Sequence, residues 1–509
     1  MSFPDWICTK GYIHMDMPIK TKEEKLFVCR YVTNANSIKK HAFLPLIRRR
    51  MYSYPYKDFT GNDGKEKRRI KKKLRNITFA SHLDASIMGY YSRILGKNYE
   101  KYLKDNGLTD EVAAYRKIKK SDGKGNKCNI DIAYEVFQKI KEYVANNDSV
   151  GVITFDIKGF FDNLDHKIIK NTWKKIMGFD VMPGDVYNVY KNIVKYSFIY
   201  ETELFEHYKN NLISANGSRK RCKSIRYLRD KNIVAYCSKE EINIIRDKGL
   251  IRQRKKNENV GIPQGLLISA ILANVYMSEF DVAVKHVINK INGIYRRYSD
   301  DIIVVCPEAE LENCKSFIIN EISNVNLEIE THKTNSFVFR KKGSENIECV
   351  HIEHDGSEST SKKLVYLGFS FDGNDVLLKD ACVGKFYNKM HKWIDRGVYY
   401  GIHINNKTVG RMFEYKLIKK FTFAGAKTHI KRLRNSEGLF KETGERTYGN
   451  FLTYVNKSAA VMDSGKIIRQ LRRCTNKLKN GIENGKTRIG KGLYAIAINQ
   501  ISKYGRIYK

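Results

Sequence analysis

Three aspartates at the ends of β-prone runs constrain this chain more than any other feature. The run Val150 to Phe155, VGVITF, is a short β-branched stretch that reads as a buried strand, and it ends at Asp156. Further on, Ile294 to Tyr298 and Ile302 to Val305 flank Ser299-Asp300-Asp301, the pattern of a hairpin with acids at its tip. Asp-Asp pairs favour turns for local reasons, so YSDD alone would be an ordinary turn more often than a site. Its company changes the odds. Closely spaced acids at the ends of hydrophobic strands repel one another unless cations bind, so the arrangement is costly to keep without a metal.

If strand and hairpin are neighbours in one sheet, Asp156, Asp300 and Asp301 have the makings of a two-metal centre. Nucleotidyl transfer uses two divalent ions roughly 3.5–4 Å apart, one activating a hydroxyl and both neutralising the phosphate. Mg²⁺ prefers oxygen ligands and keeps several waters, so a few carboxylates suffice, and Mn²⁺ can substitute.

The charge balance points to a polyanionic partner. Lys and Arg number 93 against 55 Asp and Glu, and the net +38 is spread from Arg48 to Lys509. Nucleic acid fits best, because phosphate neutralisation releases counterions and needs no sequence readout. A membrane surface competes, but no apolar run reaches the ~20 residues of a spanning helix. The longest, Gly265 to Met277, is interrupted by Ser269 and Asn274. MSFPDWICTK lacks the pattern of a signal peptide. The 10 cysteines never form a CxxC pair, so no zinc site is indicated, and free thiols in a reducing cytoplasm are expected.

At 509 residues the chain exceeds what one hydrophobic core serves, and its composition predicts that nearly all of it folds. KEKRRIKKKLR, from Lys65 to Arg75, reads as a basic surface leading into helices, with Ile77, Leu83, Ile87, Tyr91 and Leu95 at helical spacing. IDIAYEVFQKIKEYV reads as a helix after the loop Ser121 to Asn129, and helices are predicted through Ile168 to Ile176 and near Tyr187 to Tyr196. The polar stretch Ser218 to Asn259 reads as an inserted basic element. Gly261 to Gly265 forms a turn, and LLISAILANVYMSEFDVAV reads as one long helix. From about Lys385 to Lys509 the pattern is mostly helical and strongly basic.

FDIKGFFDNLDH (Phe155 to His166), GIPQGLLISAILAN (Gly261 to Asn274) and YSDD (Tyr298 to Asp301) resemble, in order, the three central palm motifs of bacterial reverse transcriptases. Lys333 in LEIETHKTN and Leu367-Gly368-Phe369 resemble the two motifs that follow. The likeness runs from roughly Phe43 to Phe371 and implies an α+β right-hand polymerase. Fingers and an N-terminal extension would occupy 1–149, the palm 150–372 with an insertion at about 200–260, and a helical, basic, thumb-like region 373–509. Asp156, Asp300 and Asp301 would then hold two Mg²⁺ ions, with main-chain groups of Ile157 completing the shell. Phe161 would be the steric gate that excludes a 2′-hydroxyl, which implies deoxynucleotide substrates; plain core packing is its bland counterpart. Gln264 would contact the templating pair and incoming nucleotide, with Pro263 and Gly265 shaping its turn. Arg116 would bind the triphosphate, and Lys333 would sit near the leaving pyrophosphate. Arg472, Arg473 and Lys477 would grip RNA or form subunit contacts.

Within that family the resemblance is to the abortive-infection and defence-associated enzymes. No cysteine-paired nuclease region and no late Val-Thr-Gly signature is visible. The implied role is RNA-templated cDNA synthesis in antiphage defence, in the cytoplasm, with a structured non-coding RNA, dNTPs and a DNA product as partners and no membrane. A homo-oligomer stays open, as does a tyrosine hydroxyl as primer. An intron maturase using the same palm and a catalytically silent RNA-binding scaffold are the competing readings. Two decoys are set aside. NGKT at Asn484 to Thr487 lacks the first glycine of a phosphate loop, and His166 reads as a helix-start surface residue.

Overall fold

The computed structural model describes residues 3–54, 56–60, 66–70, 72–123, 125–254, 258–343, 346–353, 355–403, 409–434, 438–447 and 449–504. Lys65 at the head of the basic run, Lys124 in the Ser121–Asn129 loop, 255–257 of the expected insertion and 505–509 lie outside the described residues. The fold mixes helices and sheets, as the α+β expectation required. It forms two units. The first comprises Met1–Arg116, Ile153–Cys306 and Glu310–Thr334; the second comprises Lys117–Val152, Pro307–Ala309 and Asn335–Lys509. Each unit gathers segments distant in sequence, so the packing does not follow the three consecutive stretches 1–149, 150–372 and 373–509.

In the first unit a four-stranded sheet runs in the order Arg252–Gln253, Ser197–Tyr200, Leu46–Ser53, Lys73–Phe79. Here the basic run departs from expectation. Residues Lys73–Phe79 pair antiparallel with Leu46–Ser53, from Ile47 opposite Phe79 to Ser53 opposite Lys73. Ile77, counted above on a helical face, therefore lies on a strand. The helix starts only at His82, where the Ser81 hydroxyl accepts from Asp84 N at 3.2 Å. Local helical spacing was overruled by β-branched residues that find a partner strand.

The inner face of this sheet, including Ile47 and Ile199, packs into a core with Leu204, Leu212, Ile233, Tyr236 and Ile245. Most of that core comes from the segment expected to be a polar insertion. The segment folds as a small three-stranded sheet, Arg219–Lys220, Leu212–Ser214 and Ile233–Ala235, with short helices around it. Inside lies Glu201, 5% exposed, which accepts from Arg49 Nε at 2.6 Å and from Tyr236 Oη at 3.1 Å. Burial chiefly, with the Glu201 charge, pushes the Tyr236 hydroxyl well above its ordinary pKa, so it stays a donor.

His14 pairs its main chain with this module, its carbonyl accepting from Tyr236 N at 2.8 Å. Burial lowers the His14 pKa to about 4 from 6.5. The Asp16 carboxyl beside it is also lowered: burial alone would raise it, but the His82 hydrogen bond and the His14 and His82 charges outweigh burial. Both folded-state pKa values are depressed, so stability is full above the unfolded pKa and is lost as pH falls. For His14 the window runs from 6.5 down to about 4 and is worth roughly 3 kcal/mol. Urea unfolding between pH 7 and pH 4.5 should show this decline, and it should be shallower in His14→Gln; equal slopes would contradict it.

The sequence read as one long helix is two, Ser269–Tyr276 and Ser278–Lys290, meeting at Met277. At the joint the Ser278 hydroxyl donates to the Val275 carbonyl, a local bond that competes with the helical ladder. The hairpin Ile294–Tyr298/Asp301–Cys306 forms as expected, and its second strand neighbours Ser149–Asp156.

In the second unit, strands Asn335–Lys342, Asn346–Ile352 and Glu358–Ser359 pair in sequence order. Helix Asn129–Asn147 stacks Phe137 on Phe371 at 4.7 Å, and Phe371 stacks on Phe339 at 5.5 Å. The C-terminal region is helical, ending in Cys474–Tyr504, except for an unexpected hairpin of His429–Arg434 with Phe440–Thr447. No described helix is long and apolar enough to cross a membrane, and all ten cysteines are free thiols.

Candidate active site

The acid turn is a two-residue hairpin. Tyr298 pairs with Asp301, leaving Ser299 and Asp300 as the turn, with Ser299 at φ 63°. That conformation is rare for a side-chain-bearing residue and persists only when its surroundings enforce it. Two contacts do so here. Tyr115 Oη lies 3.2 Å from Ser299 Oγ, and the Ser299 carbonyl accepts from Arg297 Nη1 at 3.3 Å.

Arg297 is wholly buried on the strand leading into the turn. Its Nε and Nη2 donate to Asp281 at 2.7 and 2.6 Å, and Nη1 also reaches Asn274 Oδ1 at 3.2 Å. Tyr295 Oη donates to the same carboxylate at 2.6 Å. Burial works against the guanidinium charge, but the Asp281 carboxylate outweighs it and pushes the Arg297 pKa up. Through its main chain Arg297 bonds Glu111 and Ala113, at 2.7 and 2.9 Å. Sequence reasoning missed this network; an arginine inside an apolar β-run, IYRRY, was its only signal.

Asp156 ends its strand beside the turn, and Ile157 N donates to the Asp300 carbonyl at 3.3 Å. A neighbouring segment runs alongside: Lys158 N donates to Glu328 O at 2.9 Å, and Glu330 N donates to Asp156 O at 2.8 Å. The single turn Thr331–Lys333 then brings the Lys333 ammonium onto the Asp156 carboxylate as an ion pair. Asp156, Ile157, Asp300 and Lys333 are thus brought together, with Lys333 on an acid where a pyrophosphate-side position was expected.

A resident metal fits this place by chemistry more than by present arrangement. Asp156, Asp300, Asp301 and the Ile157 main chain offer only oxygen donors, which suits Mg²⁺. Yet among the described residues no three His, Cys, Asp or Glu side chains are gathered closely enough to hold an ion. The expected convergence of three carboxylates is therefore not in place: the main chains adjoin, and an ammonium occupies the cationic position at Asp156.

Phe160 is buried at 3% exposure and Phe161 is half-buried beside it, the ring centroids 5.6 Å apart. Phe161 O accepts from Ile262 N at 2.8 Å, which ties it to the Gly261–Gly265 turn. Gln264 O accepts from Thr78 N at 2.8 Å and from Thr78 Oγ1 at 3.0 Å, and Pro263 O accepts from Ser269 Oγ. Gly265 is needed twice over: its φ is 112°, and a Cβ would lie 2.4 Å from Thr78 O. Gly265→Ala should therefore lose roughly 1–3 kcal/mol from backbone strain alone, read as a lower urea midpoint; an unchanged midpoint would contradict the geometry.

Arg116 does not fit its expected role. Its side chain is 3% exposed, and the guanidinium is spent on Glu100 at 2.7 and 2.8 Å and on the Thr109 and Val112 carbonyls. With those donors engaged it serves to shape this stretch of chain, not to meet a triphosphate. His166 begins its helix but is buried rather than on the surface, its Nε2 2.9 Å from Gly261 O, and burial lowers its pKa. Asn484–Thr487 lies within the Cys474–Tyr504 helix, which excludes a phosphate loop. Arg472, Arg473 and Lys477 are exposed in the second unit, with Lys477 Nζ 4.4 Å from the Tyr387 ring centre.

Residues 227–371 match the family described as reverse transcriptase (RNA-dependent DNA polymerase). The match takes in Gln264, the acid turn and Lys333, and leaves Asp156 and Phe161 outside. No curated protein matches the chain in sequence. Similar solved structures include apo telomerase from Candida tropicalis truncated from its C-terminal domain, 12% identical, with 69% of this chain and 60% of that one covered and a TM-score of 0.36. Telomerase from Candida albicans with a TWJ fragment of telomeric RNA is 12% identical, with 73% and 54% covered and a TM-score of 0.34. This chain thus spans about 60% or less of the length of those proteins. Over residues 227–371, then, the chain is similar to the reverse transcriptase (RNA-dependent DNA polymerase) family.

Proposed function

We propose that this protein copies a structured RNA bound to it into DNA by two-metal nucleotidyl transfer, and that the cDNA serves antiphage defence. The observation that carries the catalytic part is the Ile157–Asp300 main-chain bond, which sets the strand end of Asp156 against the acid turn. When bound, Mg²⁺ would supply activation of the 3′-hydroxyl and neutralisation of phosphate charge, held by Asp156, Asp300, Asp301 and Ile157 O. Lys333 would leave Asp156 for the phosphate side of the nucleotide. The net charge of +38 supports an RNA partner held by its backbone. The defence role rests on the basic, helical pattern of the C-terminal region and on the lack of a cysteine-paired nuclease region and a late Val-Thr-Gly signature in the sequence.

The test is to purify the chain with its bound RNA, add Mg²⁺ with dNTPs or NTPs, and sequence RNA and product. DNA complementary to one structured RNA supports the proposal. Ribonucleotide product alone would overturn it, and intron sequence in the bound RNA would replace the defence reading with a maturase. Phe161, half-buried next to the Gln264 turn, is expected to set sugar choice. Phe161→Ala should admit ribonucleotides, seen as NTP incorporation where the wild type shows none; unchanged discrimination removes Phe161 from that role.

A further inference from the structure

The segment around 200–260 does more than cover the inner face of the four-stranded sheet. With that sheet's outer face it walls a cleft of about 500 Å³ beside the Gln264 turn. The cleft is lined by Arg48 and Asn76 from the sheet, by Arg252 and Arg254 from the end of the inserted segment, and by Gln264 and Asp162. Strand alternation sorts the arginines: Arg49 turns inward to Glu201, and Arg48 faces the cleft.

Two of these arginines are incompletely satisfied. Arg48 stacks on Phe198, its guanidinium carbon 3.4 Å from the ring centre, and donates from Nη2 to Tyr196 Oη at 2.8 Å. Its Nε is buried without a hydrogen-bond acceptor, and among the described residues it has no carboxylate partner. Arg254 donates to the Gly261 carbonyl, while its Nε, also buried, has no hydrogen bond and only Glu258 at 3.4 Å. Arg252, by contrast, is neutralised by Glu203. Asp162, the other acid on the lining, is exposed.

A half-buried guanidinium with an empty donor, as in both, is costly unless an anion completes it, the more so for Arg48, which has no counter-charge. A planar fork held flat on an aromatic ring suits phosphate oxygens, by charge-assisted bonds. The volume suits a nucleotide-sized group. We propose that the inserted segment completes a phosphate-binding cleft in which Arg48 and Arg254 hold a nucleotide phosphate next to Gln264. The phosphate belongs either to an incoming triphosphate or to the bound strand. The inference rests on the reverse-transcriptase reading, and it gives the segment a part in substrate binding that Arg116 cannot play.

The test uses the full chain and two probes, dTTP with Mg²⁺ by calorimetry and a labelled mixed-sequence RNA titrated at several salt concentrations. Arg48→Gln and Arg254→Gln should each weaken one probe about 10- to 100-fold. Weaker dTTP with unchanged RNA identifies the triphosphate. Weaker RNA with a salt slope reduced by about one identifies the strand. Folded variants that bind both probes like the wild type overturn the proposal. Where a variant fails to fold, the wild type decides: the bound probe should shield Arg48 from phenylglyoxal, mapped by mass spectrometry, and equal modification with and without probe overturns the proposal. A wild type that binds neither probe brings down the polymerase reading as well, which separates the two failures.

Discussion

Alanine at both Asp300 and Asp301 is expected to abolish DNA synthesis, a loss of about 10³-fold or more, while RNA binding stays intact. The size follows from what the acids would do in the proposed reading: they would hold the Mg²⁺ ions, whose neutralisation of the reacting phosphate is worth several kcal/mol of barrier, and roughly 1.4 kcal/mol is tenfold in rate. Stability should barely change, since Asp301 is exposed and Asp300 half-buried, and surface substitutions usually cost about 0.5 kcal/mol or less. RNA affinity in the proposed reading depends on the basic excess, which the loss of two acids raises only slightly. The measurement is incorporation of labelled dNTP on the co-purified RNA, beside a filter-binding titration with that RNA. Synthesis at wild-type rate would remove the acid turn from the chemistry.

Arg297→Met should destabilise the first unit by about 3–5 kcal/mol, the range for breaking a buried ion pair by removing one partner. Asp281 would be left buried with Tyr295 as its remaining side-chain donor, and the Ser299 carbonyl would lose the bond that steadies the turn. Replacing both partners, Arg297→Met with Asp281→Leu, should recover much of the loss, because no unpaired charge remains. Urea unfolding of the two variants checks this. If the double variant is no more stable than the single one, the cost lies elsewhere, for instance in the main-chain bonds to Glu111 and Ala113.

What was legible in sequence was local. The strand ending at Asp156 and the hairpin around Ser299 and Asp300 follow from β-branched runs bounded by turn residues, and both formed as expected. The Gly261–Gly265 turn was legible because glycine is required where φ reaches 112° and Thr78 passes close by. Illegible features depend on partners far along the chain. Ile77 shares helical spacing with Leu83 and Ile87, yet a strand about 25 residues earlier claims its segment, Lys73–Phe79. Arg116 matches a triphosphate-binding arginine by resemblance, and only the fold brings Glu100 onto its guanidinium. The segment around 200–260 reads as polar because its apolar residues, Leu212, Ile233 and Ile245, are spaced for a small module rather than along one helix or strand.

Two-metal transfer needs Asp156 open to an ion. Because Lys333 neutralises that acid here, metal entry requires the ammonium to move. The direct measurement is a crystal structure of the chain with its RNA, a non-hydrolysable dNTP and Mg²⁺. Two ions held by Asp156, Asp300 and Asp301, with Lys333 turned to the phosphates, are the expected result. Lys333 still paired with Asp156, and no ion beside a bound nucleotide, would contradict it.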